Sequence, residues 1–204
     1  MRNRMADMIL RGTRGCVAWM VALLIGVSGC GRLDGAPGEG AGAAVDEEPL
    51  PFPGSSASLD ELARRVVTSL VEGDTAALAR LRLTEQEHNV IVWPEMPASR
   101  PEVGFPVDLA WTNIEQRSQR GLARTLPIFE GLALELAGVQ CRGGTHTYAS
   151  FHVLTDCWTR FGLGGREGAF EAQPFKDVLV RGGGHKVFRY YETRPARVEA
   201  RGEG

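Results

Sequence analysis

The feature that most restricts the fold of this chain is a change in the spacing of its apolar residues part way along. From Ser58 to about Leu126 they recur at helical intervals, and from about Gly131 to Glu192 they alternate with polar residues, the period of a strand with one buried face. In "SLDELARRVVTSLVEG" the residues Leu59, Leu62, Ala63, Val66, Val67 and Leu70 share one side, leaving Arg64, Arg65, Thr68 and Ser69 outside. Ser58 with Glu61 makes a capping box and Gly73 a stop, so the spacing predicts an amphipathic helix. Asp74 can cap a second, short helix through "TAALARL", and Thr84 with Glu87 makes another capping box before "HNVIVW", which Pro94 stops. The stretch "WPEMPASRPEVGFP" holds four prolines and reads as a loop. Asp108 can cap a further helix through "LAWTNIEQRSQRGLARTL", ended by Pro127.

The strands are read from their turns. Gly143-Gly144 separates "GLALELAGVQCR" from "THTYASFHVLTDCWTRF", and two glycines suit a two-residue hairpin turn. That register sets Leu136 opposite Phe151, Leu134 opposite Val153 and Leu132 opposite Thr155 on an apolar face. The other face sets Glu135 opposite His152, Ala137 opposite Ser150 and Val139 opposite Tyr148. A second hairpin, "FKDVLVR" and "HKVFRYYE" around Gly182 to Gly184, sets Leu179 opposite Val187, Phe175 opposite Tyr191 and Asp177 opposite Arg189. Helices first and antiparallel strands after predict an α+β fold: two to four N-terminal helices packed on a curved antiparallel sheet of four to five strands.

The N-terminus carries a different signal. Arg2, Arg4, Arg11 and Arg14 precede an uncharged run from Cys16 to Gly29, 14 residues long. A membrane-crossing helix takes roughly 20 apolar residues, so a basic n-region with a short h-region reads as an export signal. The run closes on Val27-Ser28-Gly29-Cys30, which resembles a bacterial lipobox. That resemblance implies a lipoprotein with Cys30 lipidated, after removal of residues 1–29, and a membrane anchor in the cell envelope. Gly31 after the cysteine points to the periplasmic face of the outer membrane. Two or three acyl chains are needed for stable attachment. Residues 30–57 are rich in Gly, Ala, Pro and Glu and read as a flexible tether; 58–196 then form one domain, and 197–204 a frayed tail.

Without the signal the chain keeps 19 basic and 24 acidic residues, a net charge of −5 with no basic stripe, which argues against nucleic acid as partner. All but two of its basic residues, Lys176 and Lys186, are arginine. No phosphate-cradling glycine loop, CxxC pair or nucleophile elbow occurs, so neither cofactor nor metal is expected. The element order is similar to the ketosteroid-isomerase-like, or SnoaL-like, cone fold over residues 58–193. That resemblance implies a cone-like sheet and a small-ligand pocket, and carries over no catalytic residue.

Candidate chemistry gathers on the mixed face. A carboxylate such as Glu135 can orient the imidazole of His152 for proton transfer, or the two can make a plain cross-strand hydrogen bond. Tyr148, Asp156, Trp158 and Arg160 extend that face, lining a pocket if helices cover it and a surface if water does. Cys141 and Cys157 suit a disulfide in an oxidising compartment. The Gly143-Gly144 register, however, separates them by roughly 36 Å, far beyond the about 7 Å between Cα atoms that a bond allows. Either they are separate and reduced, or the hairpin turns elsewhere. Three functions follow as expectations: a non-catalytic envelope module binding a small apolar ligand, a protein-interaction module of an envelope complex using the loop 93–106, or a pocket enzyme using Glu135 and His152.

Overall fold

The computed structural model describes residues 49–198; Cys30, the lipobox and the signal segment lie outside the described residues. Among the described residues the fold is α+β, with four helices and two antiparallel four-stranded sheets, so the strands divide between two sheets where a single one was expected.

The helices begin where the capping residues stand. Helix α1 spans Leu59–Glu72; the Ser58 hydroxyl accepts from the Glu61 N–H, the Glu61 carboxylate reaches back to the Ala57 N–H, and Gly73 closes the helix at φ 69°. Asp74 caps α2 (Thr75–Leu81) by accepting from the Ala77 N–H. The Thr84–Glu87 capping box opens α3 (Glu85–Glu87), which runs into a π turn over His88–Val92. Helix α4 (Val107–Phe129) departs from expectation at both ends. Asp108 stands in its first turn, not at its cap, and Pro127 lies inside it. The proline removes one N–H, whose helical acceptor is the Ala123 carbonyl; both residues are exposed, so water can take that carbonyl. The helix therefore continues until Phe129 buries its ring against Phe161, centroids 6.0 Å apart.

The first sheet has the order β1-β4-β5-β8 (Leu134–Cys141, Cys157–Leu163, Arg166–Ala172, Ala196–Arg197), the second β2-β3-β6-β7 (Thr145–Thr147, His152–Leu154, Val178–Arg181, Gly184–Val187). One long hairpin crosses from one sheet to the other. Its arms pair Leu134 with Leu163 at one end, Cys141 with Cys157 where the sheets part, and Thr145 with Leu154 near the tip. The chain reverses at Tyr148–Phe151, where the Tyr148 N–H bonds the Phe151 carbonyl. The expected turn at Gly143-Gly144 is thus corrected. Gly143 is a crossing point, where an added Cβ would lie 2.6 Å from Thr155 Oγ1. The second hairpin shifts by one residue: Gly182 and Gly183, at φ 51° and 71°, form a two-residue turn, and Val178 pairs with Val187. Asp177 and Arg189 are not opposite; both bond the Tyr191 hydroxyl, at 3.1 and 2.7 Å.

Two apolar clusters hold these parts together. In the larger, Leu62, Ala63, Val66 and Leu70 of α1 meet Phe161, Phe170 and Ala172 of the first sheet and Phe129. Burying one such large side chain contributes about 1.5–3 kcal/mol. The smaller joins Phe52, Leu83, Val92, Phe151 and Leu179. Phe52 moves the start of the body back from residue 58: the end of the segment expected to be tether is packed through Phe52 and Ser56, with Ser56 bridging to His185 and the Pro53 carbonyl accepting from Lys186 Nζ at 2.8 Å. At the other end, Ala196–Arg197 pairs with β5, and the Val198 N–H bonds the Ala169 carbonyl.

Candidate functional site

The six candidate pocket residues do not converge. Glu135 pairs with Gly162 in the first sheet and His152 with Val180 in the second; both are exposed, so the expected dyad is not formed. Tyr148 stacks on Phe151 at the hairpin tip, centroids 4.6 Å apart. Asp156, Trp158 and Arg160 do come together, with three residues that the mistaken register hid: Arg142, Glu171 and Gln173. Asp156, at φ 54°, accepts from Trp158 Nε1 at 3.2 Å and Gln173 Nε2 at 2.8 Å. The Arg142 guanidinium lies 5.3 Å from the Trp158 ring centroid and 2.7 Å from Glu171, and Arg160 reaches the same carboxylate at 3.0 Å. Burial alone would raise the Glu171 pKa, but hydrogen bonds and charge from Arg142 and Arg160 outweigh it and hold the carboxyl below its usual range. Water covers this outer face. The groove along it is open, about 180 Å³, and its charges satisfy one another, so it is a stabilised surface and not an enclosed pocket.

At the junction of the two sheets Cys141 and Cys157 are joined by a disulfide, S–S 1.99 Å. Their pairing is the register signal that the glycines masked: a cross-strand bond between residues 141 and 157 puts the turn midway, at residues 148 to 151.

The loop 93–106 is built as a rigid projection. Its base is His88, buried between Trp93 and Trp111 with ring centroids 5.8 and 5.6 Å away. Burial lowers the His88 pKa, against smaller upward pushes from its hydrogen bond to Asn89 and from Glu85. Pro94 and Pro97 set two 3-10 turns, Trp93–Glu95 and Pro97–Ser99, and the Ser99 hydroxyl donates to the Met96 carbonyl at 2.8 Å. The Glu95 carboxylate accepts from the Ser150 N–H at 3.1 Å and its hydroxyl at 2.5 Å, pinning the loop to the hairpin tip. Arg82 pairs with Glu115 and lies 5.5 Å from the Trp111 centroid, fixing the far side. On this frame stand large apolar side chains facing water: Phe105 is 40 % exposed, Leu109 49 %, Val103 54 % and Val90 69 %. Trp93 backs Phe105, centroids 6.2 Å apart. Comparison with protein-family models, curated proteins and solved structures finds no match to this chain.

Proposed function

We propose that this chain is a non-catalytic protein-interaction module, fastened to the bacterial cell envelope by lipid on Cys30, and that its docking surface is the patch formed by Val90, Trp93, Val103, Phe105 and Leu109. One observation carries the reading: four large apolar side chains stand in water, Val103 and Phe105 on a loop that hydrogen bonds and aromatic contacts hold in place, with Val90 on the π turn before it and Leu109 in the first turn of α4 after it. Exposed apolar clusters of this kind mark interaction sites, and aromatic anchors on a rigid frame lose little entropy on binding. The surroundings select the kind of partner. In sequence the exposed Glu85, Glu102 and Asp108 neighbour these residues and outnumber Arg100, which disfavours an anionic lipid surface and favours a protein with an apolar pocket and a basic rim. An enclosed small apolar ligand fits less well, because the mixed-face groove of about 180 Å³ is open and ligand pockets usually run from about 300 Å³ upward.

The test is a photoreactive amino acid at position 105, and separately at position 166 at the start of β5, in the full chain in intact cells. A discrete protein adduct at 105 alone supports the reading. Adducts to lipid, to a second copy of the chain, or equally from both positions overturn it.

A further inference from the structure

The described body is electrically balanced, with seventeen basic and seventeen acidic residues between positions 49 and 198, yet two grooves depart from that balance: one between α1 and α2, lined by Arg64, Arg65 and Arg80, and a second whose floor is tied together by hydrogen bonds. The second runs between α4 and the segment after β7, holds about 240 Å³, and is lined by Arg117, Arg120, Arg124 and Arg189 against the single carboxylate of Glu192. Arg117, Arg120 and Arg124 stand at i, i+3 and i+7 on α4, so one helix face presents all three. Arg124 pairs with Glu192 at 2.5 Å, and Arg189 donates to the Tyr191 hydroxyl with its guanidinium 4.6 Å from that ring's centroid. Arg117 and Arg120 meet no carboxylate among the described residues.

The floor of the groove is fixed. Ser118 Oγ accepts from the Tyr190 N–H at 3.1 Å, Thr125 Oγ1 donates to the Tyr191 carbonyl at 2.8 Å and accepts from the Thr193 N–H at 3.1 Å. Gly121 lets the two backbones touch, since a Cβ there would lie 2.7 Å from the Tyr190 carbonyl oxygen. Guanidiniums bind oxyanions in bidentate fashion, and this groove gathers four of them over a floor that hydrogen bonds hold. The geometry points to a binding site for a phosphate-type oxyanion, held by Arg117 and Arg120 with Arg189 behind them.

The test uses the full chain with Cys30→Ala, so that no lipid anchor contributes. Inorganic pyrophosphate is titrated by calorimetry, and binding to vesicles of phosphatidylcholine with and without phosphatidic acid is measured by sedimentation. Saturable pyrophosphate binding, weakened at least tenfold by Arg117→Gln with Arg120→Gln while the unfolding midpoint is unchanged, supports the site. Preference for phosphatidic acid vesicles with the same dependence supports it too and assigns the oxyanion to a lipid headgroup. A similar loss with Arg80→Gln, an arginine of the separate groove between α1 and α2, overturns the assignment, as does the absence of saturable binding to either probe.

Discussion

Lys186 and Glu87 form an ion pair inside the molecule, and its removal gives the sharpest test of how the body is held together. Lys186 is 2 % exposed, and its Nζ lies 2.6 and 2.8 Å from the two Glu87 oxygens and 2.8 Å from the Pro53 carbonyl, so all three ammonium protons have acceptors. The Glu87 carboxylate also accepts from the Thr84 N–H at 2.8 Å. One ammonium thus joins β7, the capping box of α3 and the segment before α1. Lys186→Met would leave a buried carboxylate with one amide donor and an unpaired Pro53 carbonyl. Losing one partner of a buried pair costs about 3–5 kcal/mol. With a urea slope of about 2 kcal/mol/M, a loss of about 4 kcal/mol lowers the unfolding midpoint by about 2 M. The double variant Lys186→Met with Glu87→Leu removes the stranded charge and leaves only the Thr84 N–H and Pro53 carbonyl short of partners, about 1 kcal/mol each. It should unfold within about 1 M of the parent, followed by tryptophan fluorescence. A single variant within about 0.5 M of the parent, or a double variant no better than the single, would refute the reasoning.

Other perturbations follow from the same packing. Thr159 is fully buried and its Oγ1 has no partner among the described residues, so Thr159→Val should raise stability by about 1 kcal/mol, read as a higher urea midpoint. His88 is desolvated, so its folded-state pKa lies below the ordinary 6.5. Between the two values the unfolded chain takes up a proton that the folded chain refuses; stability is therefore full above about pH 6.5 and falls as pH drops through the folded-state value. Midpoints measured from pH 7.5 to 5 should fall less steeply in His88→Gln than in the parent. Replacing both Cys141 and Cys157 with alanine removes a cross-link spanning 16 residues and should cost about 3 kcal/mol, visible as a lower midpoint under oxidising conditions only.

The first three helices were legible because their starts depend on local chemistry, whereas α4 begins after Pro106 with no side-chain cap. Ser58, Asp74 and Thr84 each satisfy an N–H three residues on, and that requirement can be read from the neighbours alone. The strands were less so, because glycine has more than one use. Gly143 and Gly184 looked like turn residues, but each is small to admit another segment: Thr155 and Asp156 beside Gly143, and Ser55 beside Gly184. The real turn at Tyr148–Phe151 contains no glycine and is held by two stacked rings. A one-residue error at Gly184 was enough to hide Lys186, which the true register turns inward toward Glu87. Of the candidate pocket residues, Asp156, Trp158 and Arg160 share a surface because they neighbour each other on one strand end. Glu135 and His152 were joined only by the mistaken register. The loop 93–106 could be recognised as a loop from its prolines, but its rigidity depends on Glu95 meeting Ser150, 55 residues away, which no local pattern reveals.

The proposal of a docking surface is tested most directly by the size of the particle that carries this chain in mild detergent extracts of its own cells, compared between the parent and Leu109→Asp. Leu109 is 49 % exposed, so the substitution should leave the unfolding midpoint unchanged while placing a charge on the proposed docking surface. The expected result is a parent that migrates in native gels as part of a larger assembly and a variant that migrates as the free chain. Equal migration of the two, with folding intact, would contradict it.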